Sequence, residues 1–80
     1  MYYVYIITSA IYPNKFYVGS TAEVQARLKK HNAGGSIYTK DYIPWELVFT
    51  GEFKDKPKAL VFEKYLKSHS GRAFMLKRLT

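Results

Sequence analysis

Tyr2-Tyr3-Val4-Tyr5-Ile6-Ile7 and, after a short break, Phe16-Tyr17-Val18-Gly19 are the two stretches whose reading decides the fold. Both are rich in β-branched and aromatic side chains, which suit a pleated, half-buried strand. Between them, Ser9 to Lys15 contains Pro13-Asn14, a turn signal. An antiparallel hairpin is therefore expected. Side chains alternate across a strand, so Tyr3, Tyr5 and Ile7 share one face of the first segment. On the second, Phe16 and Val18 point one way, and Tyr17 and Gly19 the other.

Downstream, Ser20-Thr21-Ala22-Glu23 has capping-box spacing, with Ser20 as N-cap and Glu23 three residues on. This predicts a helix to about Asn32, stopped by Gly34-Gly35. Its apolar stripe carries Val24 and Leu28, and Arg27 and His31 lie on the same side, one turn apart. Residues 34–44 are polar and basic, as in an ordered surface loop. Trp45 to Phe53 alternates as a third strand. Asp55, with Pro57 in the first turn, should cap a second helix running to about Ser68. That helix has an apolar face of Ala59, Phe62 and Leu66, with Glu63 inside the stripe. Ser70-Gly71 is read as a break, with a short basic helix from Ala73 to Leu79. The order β-β-α-β-α-α gives an α/β (α+β) fold, a small three-stranded antiparallel sheet flanked by helices, with residues 1–80 as a single domain.

Composition narrows the function. The chain has no cysteine, which removes disulfides, thiolate metal sites and a cysteine nucleophile together. No apolar run approaches the roughly 20 residues needed to span a bilayer. The start lacks the basic segment of a secretory signal, so a soluble cytoplasmic protein without a membrane partner is expected. Thirteen Lys and Arg against six acids leave a net charge of +7. That excess favours a polyanion such as nucleic acid, although it would also serve solubility.

Three features could carry chemistry. A carboxylate inside an apolar stripe, Glu63, is expensive unless paired or holding a metal. It could also sit at the edge of the stripe and reach water or a lysine. Magnesium suits the metal alternative, because one or two carboxylates and several waters often hold it. Arg27 and His31 could clamp a phosphate and move a proton, since arginine's planar fork matches phosphate oxygens. Singly, each is equally at home as a solvated helix residue. The chain has eight tyrosines, and Tyr3, Tyr5 and Tyr17 could meet on one face of the hairpin, as chemistry or as a packing ladder.

Together these residues resemble a family. Tyr3-Val4-Tyr5 and Tyr17-Val18-Gly19, with eleven residues between them, look like the GIY…YIG signature, with valine twice for isoleucine and Tyr3 in the place of the first glycine. Gly19-Ser20-Thr21, Arg27, His31, Gly34-Gly35, Thr39-Lys40, Pro44 to Val48 and Glu63 follow in family order. Over residues 2–79 the chain is similar to the small one-domain GIY-YIG nucleases called UPF0213, which are themselves similar to the N-terminal nuclease domain of the excinuclease. Ser70 or Arg72 stands nearest the second polar residue that some members carry late in the chain.

The resemblance implies a divalent-metal-dependent endonuclease acting on duplex, branched or nicked DNA in repair or recombination. It would select by structure rather than sequence, because no further recognition domain is visible, and a protein partner could supply targeting. One Mg2+ (or Mn2+) ion would sit on Glu63. Tyr5 would be the general base for the attacking water, with His31 or Tyr17 taking or orienting its proton, and Arg27 would hold the scissile phosphate. The products would carry 5′-phosphate and 3′-hydroxyl ends. Lys15 matches an assisting lysine of some members. Lys29, Lys30, Lys40, Arg72, Lys77 and Arg78 would neutralise flanking phosphates. The competing expectation is a nucleic-acid-binding module that keeps the fold with little turnover.

Overall fold

A computed structural model describes residues 1–80. Strand β1 (Tyr2–Ser9) pairs antiparallel with β2 (Phe16–Thr21) and, on its other side, with β3 (Trp45–Phe53), so the sheet order is β2-β1-β3. Helix α1 (Val24–Asn32) follows β2, and a single 3-10 turn (Lys40–Tyr42) precedes β3. Helices α2 (Lys56–Lys67) and α3 (His69–Arg78) close the chain. The expected order of elements is the one present. No helix is long and apolar enough to cross a membrane.

The central strand is covered on both faces, as its run of buried residues demands. On one face Val4, Ile6 and Val18 pack with Ala59 and Leu66 of α2 and Met75 of α3. On the other, Tyr5, Ile7 and Trp45 pack under Val24 and Leu28 of α1. The β1–β3 ladder has an irregularity after Ile6, where Ile6 faces Phe49 but Ile7 faces Leu47. Strict alternation would separate Val48 from Phe49, whereas the extra residue of a bulge lets both reach the α2 side.

Two local expectations fail for physical reasons. The capping box does not form. Pairing with β1 continues to Tyr3↔Thr21 and Val4↔Ser20, which holds Ser20 inside the ladder, away from the helix. The N-cap position falls to Glu23 without a side-chain cap, and Thr21 Oγ1 accepts from Glu23 N instead. The break between the last helices comes earlier than Ser70-Gly71. Ser68 ends α2 and caps α3, its Oγ accepting from Gly71 N at 3.2 Å. Gly71 lies within α3 because a Cβ there would overlap the carbonyl of Tyr65. It is a packing glycine, not a breaker.

Gly71→Ala should therefore lower stability by about 2–3 kcal/mol, a large part of the roughly 3–5 kcal/mol such a small core provides. Chemical denaturation followed by circular dichroism measures it, with Ala73→Gly as the exposed-helix reference.

Candidate active site

The Tyr5 phenol is the centre of the arrangement. Tyr5 lies on the central strand with 2% of its surface exposed, and its Oη is 2.9 Å from His31 Nε2. Its neighbour across β2 is Gly19. A Cβ on Gly19 would overlap Oη and stand 2.6 Å from Cζ, so the glycine makes the room that the phenol fills. Tyr17 comes from the same face of β2, its ring 6.4 Å from Tyr5 and edge-on to His31 at 5.1 Å.

His31 belongs to the last turn of α1 and is 2% exposed. Its Nδ1 is 2.8 Å from the hydroxyl of Thr39, a fully buried residue. Thr39 O accepts from the indole of Trp45, and Asn32 bridges both backbone groups of Trp45. These bonds dock the end of α1 and the loop after it onto the start of β3. Arg27, one turn before His31, is exposed. Burial, with Tyr17 adding to it, pushes the Tyr5 phenol up to about 12, and the Arg27 guanidinium opposes the rise. Burial, then the charges of Arg27 and Lys30, hold the His31 imidazole below its ordinary value.

A cleft of about 270 Å³ opens above these groups, lined among others by Tyr17, Arg27, Lys30, His31 and Tyr38. Of the other basic residues, Lys29 and Lys40 are exposed on α1 and the 3-10 turn, outside the cleft lining. Lys15 lies 4.8 Å over the Tyr42 ring, beside a separate cavity of about 390 Å³ at the β1–β2 loop. Arg72, Lys77 and Arg78 are exposed on α3, as is Ser70, and α3 belongs to the opposite side of the sheet. None of these four lines the cleft.

Glu63 reaches the site by an unexpected route. α2 packs on the face opposite Tyr5 and Tyr17, and the carboxylate meets β2 at Ser20, whose partner Val4 belongs to the α2-side cluster. Ser20 Oγ, on that strand, donates to Glu63 Oε1 at 2.5 Å. Lys67 Nζ donates to Oε2 at 2.6 Å and lies 5.9 Å from the Tyr17 ring centroid, linking the carboxylate to the phenol side. The glutamate thus finds a lysine, and its nearest link to the tyrosines is that lysine, over the Tyr17 ring. No three His, Cys, Asp or Glu side chains cluster to hold a metal. One carboxylate does not make a zinc site, but it fits a hard divalent ion that keeps waters and completes its shell with substrate phosphate. Lys67 is half exposed and could yield its place at low cost.

The signature tripeptides now stand side by side on β1 and β2, with Tyr5 opposite Gly19. A model of the GIY-YIG catalytic domain matches residues 1–77. The chain belongs to the GIY-YIG family. It is 38% identical over 72 residues to a UPF0213 protein of Streptococcus sanguinis, covering 89% of this chain and 80% of that relative. It is 40% identical over 72 residues to the structure-specific endonuclease subunit SLX1 of Debaryomyces hansenii, covering 81% of this chain but 21% of that relative. The solution structure of the UPF0213 protein BH0048 from Bacillus halodurans superposes with a TM-score of 0.56 at 33% identity, over 96% of this chain and 84% of that one.

For this GIY-YIG domain, sequence reasoning missed Ser20 as a partner of Glu63, and the parts played by Thr39 and Asn32. Ser20 escapes it because a capping box and a strand-end serine share a pattern. Thr39 and Asn32 act through contacts between segments that spacing does not reveal.

The depressed His31 fixes a sign for stability. The folded protein binds fewer protons there than the unfolded chain, so stability is full above the ordinary histidine value near 6.5 and declines as pH falls below it. Urea midpoints measured from pH 7.5 to 5.5 should fall, and His31→Gln should flatten that limb.

Proposed function

We propose that this GIY-YIG domain is an endonuclease that hydrolyses DNA phosphodiester bonds with one divalent cation on Glu63, selecting DNA by its structure. The observation that carries the reading is the contact of Tyr5 and Tyr17 with His31 beside the cleft that Arg27 lines, with Glu63 tied to Lys67, whose Nζ lies 5.9 Å from the Tyr17 ring centroid. Its similarity to proteins named as structure-specific endonuclease subunits supports both the activity and selection by shape.

Arg27, exposed at the cleft, binds the scissile phosphate and offsets its growing charge. Tyr5 takes the proton of the attacking water at Oη, leaving 5′-phosphate and 3′-hydroxyl ends. A phenol at about 12 resists ionisation at neutral pH by about 7 kcal/mol, at 1.4 kcal/mol per pH unit. That value already includes the opposing Arg27 charge, so the rest of the requirement falls to the His31 hydrogen bond and to the divalent ion when bound. When bound, the ion would supply Lewis-acid stabilisation of the phosphoryl oxygens and of the leaving group. Mg2+ or Mn2+ suits the single-carboxylate donor set. Lys29, Lys30 and Lys40 hold flanking phosphates, which positions DNA without reading bases. A role in repair or recombination, with a partner protein directing the domain, belongs to the same proposal.

Glu63→Gln should abolish cleavage of flapped, nicked or branched DNA while leaving binding within a few-fold. Binding without cutting by the wild-type protein, at any Mg2+ or Mn2+ concentration, would favour the nucleic-acid-binding alternative. Tyr5→Phe should slow single-turnover cleavage by about 10²–10⁴, the usual share of a general base. The wild-type rate should climb roughly tenfold per pH unit between pH 6 and 9, as expected for a base whose pKa lies above that range.

A further inference from the structure

The loop between β1 and β2 has a fixed backbone and an apolar surface. Ser9 is 3% exposed, and its Oγ donates to Tyr42 O at 2.7 Å while accepting from Ile11 N and Tyr12 N. Ala10 N donates to Pro44 O, and Lys15 N to Tyr12 O. These bonds tie the loop to itself and to the segment entering β3. It nevertheless presents Ile11, 59% exposed, and Tyr12, 49% exposed, to solvent. Tyr12 meets the Tyr42 ring edge-on at 5.4 Å, and the Lys15 ammonium lies 4.8 Å from the centroid of that same ring. Tyr12, Pro13, Asn14 and Lys15 line the cavity of about 390 Å³. Segment 9–15 contains no acid.

This cavity opens beside the catalytic cleft. Tyr42 packs with Tyr5, Ile7 and Trp45, as Tyr17 does. Ser9 N donates to Lys15 O, which carries the β1–β2 pairing one residue beyond Phe16. Lys15 therefore alternates onto the side of Tyr17, about 7 Å along the strand at roughly 3.4 Å per residue. An aromatic ring next to a lysine suits a nucleotide, whose base stacks while its phosphate meets the ammonium. Stacking needs a free base face. Within an intact duplex both faces of each base are taken by its neighbours, whereas an unpaired base at a flap or gap offers them. Because the loop is already fixed, little ordering cost falls on binding.

We propose that the β1–β2 loop is a subsite for an unpaired nucleotide beside the cleaved junction, with its base stacked on Tyr12 and its phosphate on Lys15. The exposed carboxamide of Asn14 meets the base edge that pairing would otherwise occupy. The subsite rests on the nuclease reading and gives it a physical means of selecting structure, since an intact duplex leaves the loop empty.

Binding in EDTA tests the subsite apart from cleavage. In fluorescence anisotropy the wild-type protein should hold flapped DNA about tenfold tighter than a blunt duplex with the same number of phosphates, as one base–aromatic stack provides. Tyr12→Ala should bring that ratio to within about twofold of unity. Tyr12→Phe should keep it, and Tyr12→Leu, apolar but without a π face, should lose it. 5-Iodouracil at the unpaired position nearest the junction should crosslink to Tyr12 under long-wavelength ultraviolet light, as mapped by peptide mass spectrometry. Wild-type protein with no preference for flapped DNA overturns the proposal. So does a preference that survives Tyr12→Ala or Tyr12→Leu, which would leave the exposed loop to a protein partner, or a crosslink that maps outside the loop. If Tyr12→Ala does not fold, Tyr12→Leu and the wild-type crosslink decide. Protein that prefers flapped DNA through Tyr12 yet cuts none with Mg2+ or Mn2+ leaves the subsite standing and sinks the nuclease reading.

Discussion

The hydrogen bond between Tyr5 and His31 is the constraint on which the rest of this small structure depends. It joins the central strand to the end of the first helix between two side chains that are each almost wholly buried. Both polar ends therefore need partners, because an unmet buried donor or acceptor costs as much as a good hydrogen bond supplies. Meeting that demand sets the local geometry. Gly19 leaves room for the phenol, and Asn32 locks the helix end to Trp45. The loop after α1 delivers the Thr39 hydroxyl. Moving any one of these would leave another without its partner.

The sheet divides its faces between two tasks. The α2–α3 side holds the apolar cluster of Val4, Ile6, Val18, Ala59, Leu66 and Met75. The α1 side holds tyrosine, histidine, threonine and tryptophan joined by directional bonds. In a chain with so little core, placing the polar network on one face protects the packing on the other. Glu63 is bonded to Ser20 of the edge strand β2, and Lys67 is the link from it toward Tyr17. An open edge is usually a liability for unwanted pairing. Here Ser20 on that strand is held by Glu63, which Lys67 pairs in turn.

Most of the architecture was legible because its signals are local. Alternating aromatic and β-branched runs, Asp55 with Pro57, and the stripe of Ala59, Phe62 and Leu66 each specify an element within a few residues. The grouping of Tyr5, Tyr17, Arg27 and His31 was legible through strand alternation and one helical turn. Other features required knowing how far the β1–β2 ladder extends. Ser20 reads as a cap until pairing through Thr21 places it in a strand. Gly71 reads as a breaker until the carbonyl of Tyr65 is found against it. Glu63 stands out in the sequence, yet its side of the sheet could not be read from a helical stripe, since the stripe says only that a face is buried.

On the proposed mechanism, the resting site is neutralised from within. Glu63 is held by a serine hydroxyl and a half-exposed lysine, while the Tyr5 phenol is protonated far below its pKa. Lys67 is half exposed, and an i,i+4 ion pair on a helix contributes on the order of 1 kcal/mol, so Glu63 could hold a divalent ion in place of Lys67 with the Ser20 bond kept on the other oxygen. DNA arriving in the Arg27–Lys30 cleft then excludes water, and charge interactions there strengthen as the local dielectric falls. An arriving phosphate anion by itself opposes ionisation of the phenol, so the compensating positive charge has to come from Arg27 and from the divalent ion.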